Sequence, residues 1–232
     1  MNIVITGASK GIGRAIAEAF ATEGHTLLLC ARNEETLTST VGDLSKRFPH
    51  SNVQCFVADL SVKEEVYAFA QWCLQQGVPE AIINNAGQYL PGNLLNEAEG
   101  SLEKMIDTNL MSAYHLVRKL VPVMKDKKRG HIFNICSVAS LHAYEGGGGY
   151  SVSKFALNGF SQNLRHELKA FGIKVTAVFP GAVLTDSWAG FDNSDQRIME
   201  ASDIASMIVA ASKLSVQAVV EEIIVRPQLG DL

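Results

Sequence analysis

Three side chains near the middle of the chain have the types and spacing for acid–base chemistry on an oxygen: Ser137, Tyr150 and Lys154. Tyr150 and Lys154 are four residues apart, which on a helix puts both on one face. A free tyrosine titrates near pH ~10, too high for easy proton exchange at neutrality. An ammonium within about 4–6 Å favours the phenolate and lowers that value. A tyrosine tuned in this way can act as general acid or base on an alcohol or carbonyl oxygen. A Tyr–Lys pair at this spacing also describes an ordinary helix surface, so the elements that would position it matter.

Residues 132–136 are mostly apolar and predict a buried strand that ends at Ser137. After Lys154, the residues Phe155, Ala156, Leu157, Phe160 and Leu164 recur at helical spacing. The hydroxyl therefore stands at a strand end, and the phenol and ammonium on the first turns of the next helix. Glycines 146–149 between them let the chain turn tightly into that helix. A similar strand–loop–helix pattern opens the chain. The strand 2–6 is followed by Gly7-Ala8-Ser9-Lys10-Gly11-Ile12-Gly13 and then by Ala15, Ile16, Ala19 and Phe20 at helical spacing. This is the context of a phosphate-binding turn, with Gly7 for the turn, Gly11 for close backbone approach and Gly13 for helix–strand packing. The spacing is GxxxGxG, so the common GxGxxG fingerprint does not match.

A second strand, 26–31, runs into Arg32-Asn33, where an acidic residue would suit the ribose of NAD and an arginine suits a 2′-phosphate. Lys10 adds a second cation, so the pattern favours NADP. Glu34 is expected to cap the next helix, 33–47. The strand 53–58 leads to Asp59. Ser61, with Glu64 three residues on, is predicted to cap the helix 62–76, leaving Asp59 for an adenine amino group. The short strand 81–83 ends in Asn84-Asn85-Ala86-Gly87, a glycine turn where open α/β sheets bind ligands. A long helical pattern, 101–126, contains Asn109, a polar residue that needs a partner there. The strand 173–179 ends at Pro180-Gly181-Ala182-Val183-Leu184-Thr185. Residues 186–199, with Trp188 and Phe191, are weakly periodic and fit a mobile lid. A helix over 202–213 and a strand over 219–225 close the chain, with Arg226-Pro227 ending that strand. The alternation predicts an α/β fold, one doubly wound parallel sheet of about seven strands with helices on both faces, in a single domain over 1–232.

Composition agrees. The chain has 232 residues and is 47% hydrophobic, as expected of an ordinary globular protein. Its formal net charge is -4, with no basic excess to suggest nucleic acid. The basic run at 125–129 falls where a helix should end and suits the helix dipole. Four scattered cysteines (30, 55, 73 and 136) form no CxxC pair and are expected to be buried thiols in a reducing compartment. With no charged-then-apolar leader and no apolar run of about 18 residues, a cytoplasmic protein is expected, neither secreted nor membrane-spanning.

Taken together, Thr6-Gly7-Ala8-Ser9-Lys10-Gly11-Ile12-Gly13, Asn84-Asn85-Ala86-Gly87, Asn109, Ser137, Tyr150-x-x-x-Lys154 and Pro180-Gly181 resemble, in order and spacing, the short-chain dehydrogenase/reductases. The resemblance implies that Tyr150 is the general acid toward a carbonyl oxygen and that Ser137 orients and polarises it. It implies that Lys154 binds the nicotinamide ribose and lowers the Tyr150 pKa, and that Asn109 holds a water in a proton relay. It implies a cofactor site at Gly7, Ser9, Lys10, Gly11, Ile12, Gly13, Arg32, Asn33, Asp59, Asn85, Ala86, Gly87, Tyr150, Lys154, Pro180, Gly181, Val183 and Thr185, with NADP(H) as cofactor and no metal. Leu141, His142, Tyr144, Tyr89 and Trp188 are candidates for the pocket wall. Cys136 stands where a serine commonly precedes the catalytic one, and 141–149 is unusually glycine-rich. The tail 219–227 resembles sepiapterin-reductase-like enzymes and a 3-hydroxy-acid dehydrogenase branch, and the first half resembles 3-oxoacyl-carrier-protein reductases. The expected function is NADPH-dependent reduction of a small polar ketone, either sepiapterin-like or a 3-oxo acid. A carrier-protein reductase and a non-catalytic NADP-binding sensor are the alternatives, and a homodimer or homotetramer is expected.

Overall fold

The computed structural model describes residues 1–188 and 190–231. Seven strands form one all-parallel sheet: β1 (Asn2–Thr6), β2 (Thr26–Ala31), β3 (Asn52–Val57), β4 (Ala81–Asn84), β5 (Gly130–Ile135), β6 (Ile173–Pro180) and β7 (Glu222–Val225), in the order β3-β2-β1-β4-β5-β6-β7. Among the described residues seven α-helices accompany it: α1 (Gly11–Ala21), α2 (Glu34–Arg47), α3 (Lys63–Gln76), α4 (Ser101–Ile106), α5 (Ser112–Lys127), α6 (Gly148–Leu168) and α7 (Ala201–Ser212). This is the expected doubly wound arrangement.

The strands read as continuous apolar runs because both faces are covered. Successive residues of β1 face opposite sides. Ile3 and Ile5 pack with Ile16, Phe20, Ile204 and Ile208. Val4 packs with Leu28, Phe69, Leu120, Ile132 and Leu164. Strand order reverses at β1, so the loops after β1 and β4 diverge and leave a crevice at the carboxyl edge of the sheet.

Four expectations about local structure need correction. The pattern over 101–126 is not one helix: a π-helical turn, Asp107–Met111, separates α4 from α5 and carries Asn109. The extra residue in that turn lets the polar side chain face inward while the apolar positions on either side still meet the core. Asn33, not Glu34, caps α2, with its side-chain oxygen accepting from the Thr36 N–H at 2.9 Å. Ser61 does not cap α3, which begins after Val62 without a side-chain cap. Instead the Ser61 N–H and hydroxyl both donate to Asp59 Oδ1, and the Glu65 carboxylate accepts from the Asp59 N–H. The last strand starts at Glu222 rather than at 219, because only the last part of that run meets the hydrogen-bonding edge of β6.

The segment after β6 is irregular, with a short 3₁₀ turn at Asp186–Trp188. Its ends are tied together: the Leu184 N–H donates to Met199 O at 2.8 Å, and the Met199 N–H to Ala182 O at 3.1 Å. Ala189, within the stretch read as a lid, lies outside the described residues. Cys30, Cys73 and Cys136 are buried and Cys55 is half-buried, all as free thiols. Among the described residues no helix is long and apolar enough to cross a membrane.

Candidate active site

Ser137 leaves β5 and caps a short 3₁₀ turn, Val138–Ser140. Its Oγ accepts from the Ala139 N–H at 3.1 Å, and its own N–H donates to Ser140 Oγ at 3.2 Å. The reciprocal bonds hold the hydroxyl at the strand end while its hydrogen stays available to donate. Tyr150 sits in the first turn of α6 and Lys154 one turn on. The Ser137 hydroxyl is near enough to the Tyr150 phenol to favour its phenolate, and both side chains line the same cavity. Lys154 is 4% exposed. Its Nζ donates to Ile135 O at 2.7 Å and lies 5.7 Å from the centre of the Tyr150 ring. The ring of Tyr89 meets that of Tyr150 edge-on at 5.0 Å. The α6 N-terminus is anchored from outside: Glu97 Oε2 accepts from the Gly149 N–H at 3.0 Å.

The electrostatics differ from the expectation of a lowered tyrosine. Burial pushes the Tyr150 phenol up to about 12, against a smaller opposing effect of the nearby Ser137 hydroxyl. Burial also pushes the Lys154 ammonium down to about 8. Both shifts follow from taking a charged form out of water. In the protein's own environment, removal from water is the dominant effect on both groups. The phenol therefore holds its proton at neutral pH, which is the form a proton donor needs.

Asn109 is 1% exposed. Its Oδ1 accepts from the Gln88 N–H at 2.6 Å, and its Nδ2 donates to Gln88 O at 3.0 Å and to Ser153 Oγ at 2.8 Å. Ser153 Oγ donates to Tyr150 O at 2.7 Å. Both amide hydrogens of Asn109 are thus used on the chain itself, and one Oδ1 lone pair is its remaining capacity. Gln88, absent from the sequence reading, is the partner that the polar residue required.

The glycine turn after β1 is built on backbone that side chains resist. Gly11 has φ +54°, in the left-handed region. A Cβ on Gly13 would stand 2.2 Å from Gly7 O, so α1 can pack this closely on β1 only through a glycine. Asn85 braces the turn: its Nδ2 donates to Thr6 O and Gly7 O, at 2.9 and 3.1 Å. The Asn85 and Ala86 N–H groups both donate to Thr6 Oγ1.

A cavity of 610 Å³ joins these parts. Ile12, Asn85, Gly87, Ser137, Tyr150, Lys154, Pro180, Gly181, Val183 and Thr185 all line it. The other proposed cofactor residues lie off this cavity. Ser9 O accepts from Thr40, Lys10 pairs with Asp186, Arg32 is exposed, and Asn33 and Asp59 are engaged as described. Of the candidate wall residues, Tyr89, His142, Tyr144 and Trp188 line the cavity. Leu141 does not; it packs against the cluster of Ala113, Cys136, Leu157 and Phe179. Arg226 and Asp231 also line the cavity. Sequence reasoning used Arg226 only as a strand terminator, although a residue just past a parallel strand stands at the ligand-binding edge of the sheet.

Residues 1–196 match the model of the short chain dehydrogenase family. The chain belongs to that family. An uncharacterized oxidoreductase of Staphylococcus aureus (strain MW2) is 33% identical over 97% of this chain and 96% of its own. A metagenomic short-chain oxidoreductase solved in complex with NADP has a TM-score of 0.86 and 30% identity, over 98% and 97% of the two chains. An alcohol dehydrogenase from the archaeon Thermococcus sibiricus, complexed with 5-hydroxy-NADP, has a TM-score of 0.90 and 27% identity, over 98% and 96%. This short-chain dehydrogenase is an oxidoreductase by that membership, and its sheet is the Rossmann-type sheet of the family.

Proposed function

We propose that this dehydrogenase reduces the carbonyl of a small polar ketone to an alcohol with NADPH. The observation that carries the reading is the meeting of the glycine turn's helix, through Ile12, with Ser137, Tyr150 and Lys154 on one cavity. The turn suits a dinucleotide: Gly11 and Gly13 stand where a side chain would crowd the backbone, and the α1 N-terminus offers N–H groups to a phosphate. A bound nicotinamide cofactor would supply the hydride.

The chain's own residues do the rest. Tyr150, protonated at neutral pH, donates its phenolic proton to the carbonyl oxygen as negative charge develops there. Ser137 donates a hydrogen bond to the same oxygen, which favours the charged state over the ground state. Lys154, fixed by Ile135 O, stabilises the phenolate that remains and has two further N–H donors for a ribose hydroxyl. Asn109 acts through Ser153 and holds the turn of α6 that presents Tyr150. Lys10 at the start of α1 and the exposed Arg32 after β2 supply positive charge for a 2′-phosphate, which supports NADPH over NADH. All four reacting or positioning residues are present, which favours an enzyme over a non-catalytic sensor.

The carrier-protein reading is weaker. The basic cluster at 125–129 lies before the start of β5, at the opposite end of that strand from Ser137. A strand of this length separates the two by about 20 Å. The helix α6 carries the half-exposed apolar residues Val152 and Phe155, which supports a homodimer or homotetramer.

The test is NADPH oxidation against sepiapterin, a diketone, a β-ketoacyl thioester and a 3-oxo acid, with NADH in parallel. Turnover on one of the small ketones, with NADPH preferred, is the expected result. Turnover confined to the thioester would select the carrier-protein reading. Binding of NADPH without turnover on any of them would select the sensor.

A further inference from the structure

The chain's last strand brings an arginine and a carboxylate into the catalytic cavity. Val225 of β7 pairs with Pro180 of β6, so Arg226 leaves the sheet beside Gly181. A Cβ on Gly181 would stand 3.5 Å from Arg226 Cα and 2.8 Å from Asp231 Oδ1, so this glycine lets the tail lie against the β6 turn. Arg226 Nη1 donates to Asp231 Oδ2. Arg197 fastens the same tail: its two terminal nitrogens donate to Gly230 O and Asp231 O at 2.9 and 3.2 Å.

Among the described residues, two Lys or Arg side chains line the cavity, Lys154 and Arg226. Lys154 is buried and bonded to Ile135 O beside Tyr150, inside the cavity rather than at its mouth. Arg226 and Asp231 are 39% and 34% exposed, so both reach solvent at the cavity mouth. We infer that Arg226 recognises a carboxylate on the carbonyl substrate, and that this carboxylate takes the place of Asp231 on the guanidinium. The substrate class is then the oxo acids, an inference that rests on the carbonyl-reductase reading.

The exchange is favourable for three reasons. A guanidinium presents a planar fork that fits a carboxylate in two parallel hydrogen bonds. One carboxylate replaces another, so no unpaired charge is left in the wall. Asp231 is already partly exposed and regains water when displaced. The cavity's other carboxylate, Glu145, is on the exposed rim next to Tyr144 and repels an anion from that side. The acid end of the substrate is therefore directed toward β7, leaving its carbonyl for Ser137 and Tyr150.

The test compares straight-chain oxo acids of about four to six carbons with their methyl esters, by calorimetric binding to the protein–NADP⁺ complex, which cannot reduce them. The acid is expected to bind about tenfold or more tightly than its ester, as a charge-assisted hydrogen bond in a partly dry site requires. Arg226→Gln is expected to abolish that difference, and Arg226→Lys, which keeps the charge but loses the fork, to retain part of it. Equal binding of acid and ester, or an acid preference that survives Arg226→Gln, would overturn the assignment. So would a loss of NADP⁺ affinity in Arg226→Gln larger than its loss of acid affinity, because the guanidinium would then serve the cofactor. Binding is independent of turnover. A protein that binds acids through Arg226 and oxidises no NADPH refutes the reductase reading alone. One that reduces neutral ketones without preferring acids refutes the Arg226 assignment alone.

Discussion

Asn109 Nδ2 lies 2.8 Å from Ser153 Oγ, and that bond ties the π-helical turn to the helix that carries Tyr150. The bond continues through Ser153 Oγ to Tyr150 O and, on the other side, through Asn109 to both backbone groups of Gln88. Replacing Asn109 with Ala leaves the Gln88 N–H and C=O without that partner, at a cost of about 1–3 kcal/mol per buried group. The expected result is a lower Tm together with a fall in kcat. Asn109→Asp restores an acceptor for the Gln88 N–H and no donor for Ser153, so it should recover more stability than kcat. Thermal unfolding and steady-state kinetics on the two variants check this. Equal recovery of both would mean that the residue is merely structural.

Tyr150→Phe removes the proposed proton donor and leaves the ring against Tyr89. Turnover should fall by about 10²–10⁴-fold, the usual contribution of a positioned acid. NADPH affinity, measured by fluorescence titration, should change by less than about threefold. Retained turnover would remove Tyr150 from the mechanism.

Lys154 is a buried cation whose pKa is pushed down to about 8. Below about pH 8 it is charged in both folded and unfolded chains, and the folded state bears the cost of burying it. Between about pH 8 and 10.5 the folded chain releases the proton first, so the unfolded state holds more protons and stability rises with pH. Lys154→Met should therefore abolish activity yet raise stability at pH 7, by up to about 3 kcal/mol, since each pKa unit corresponds to about 1.4 kcal/mol. That gain should shrink as pH rises from about 8 and be nearly gone by about pH 10.5. Urea unfolding at pH 7 and pH 10.5 measures it, and a variant less stable at both would contradict the argument.

Two glycines in helices make opposite predictions. Gly13→Ala forces a Cβ to within 2.2 Å of Gly7 O and should destabilise the protein by several kcal/mol or prevent folding. Gly42, exposed in α2, has nothing within 4 Å of its Cβ position. Gly42→Ala should stabilise by about 0.5–1 kcal/mol through helix propensity. Chemical denaturation of both variants checks the pair, and similar midpoints would show that the α1–β1 approach is not constrained.

Much of the fold was legible because the signals were local. Apolar runs in register with a parallel sheet, helical periodicity, and the glycines of the first turn are all properties of neighbouring residues. The misreadings at Glu34 and Ser61 were local too, but they depended on which of two adjacent polar residues reached the helix N–H groups, a choice set by backbone angles. The break around Asn109 left no mark in the periodicity, because a π-turn shifts the register by a single residue and the apolar residues resume on the same face.

The sequence by itself determined the alternation of strands and helices, the family resemblance, and which residue types could exchange protons or bind a dinucleotide. It could do so because backbone preference and side-chain chemistry belong to each residue. Only the tertiary structure decided that Tyr150 is held protonated, that Lys154 is strained toward neutrality, that Leu141 belongs to the core and that Arg226 belongs to the cavity. Those properties depend on how much water each group loses and on which distant residues replace it. Asp231 comes to lie against Gly181 because β7 pairs with β6, a contact that no local pattern in the chain records.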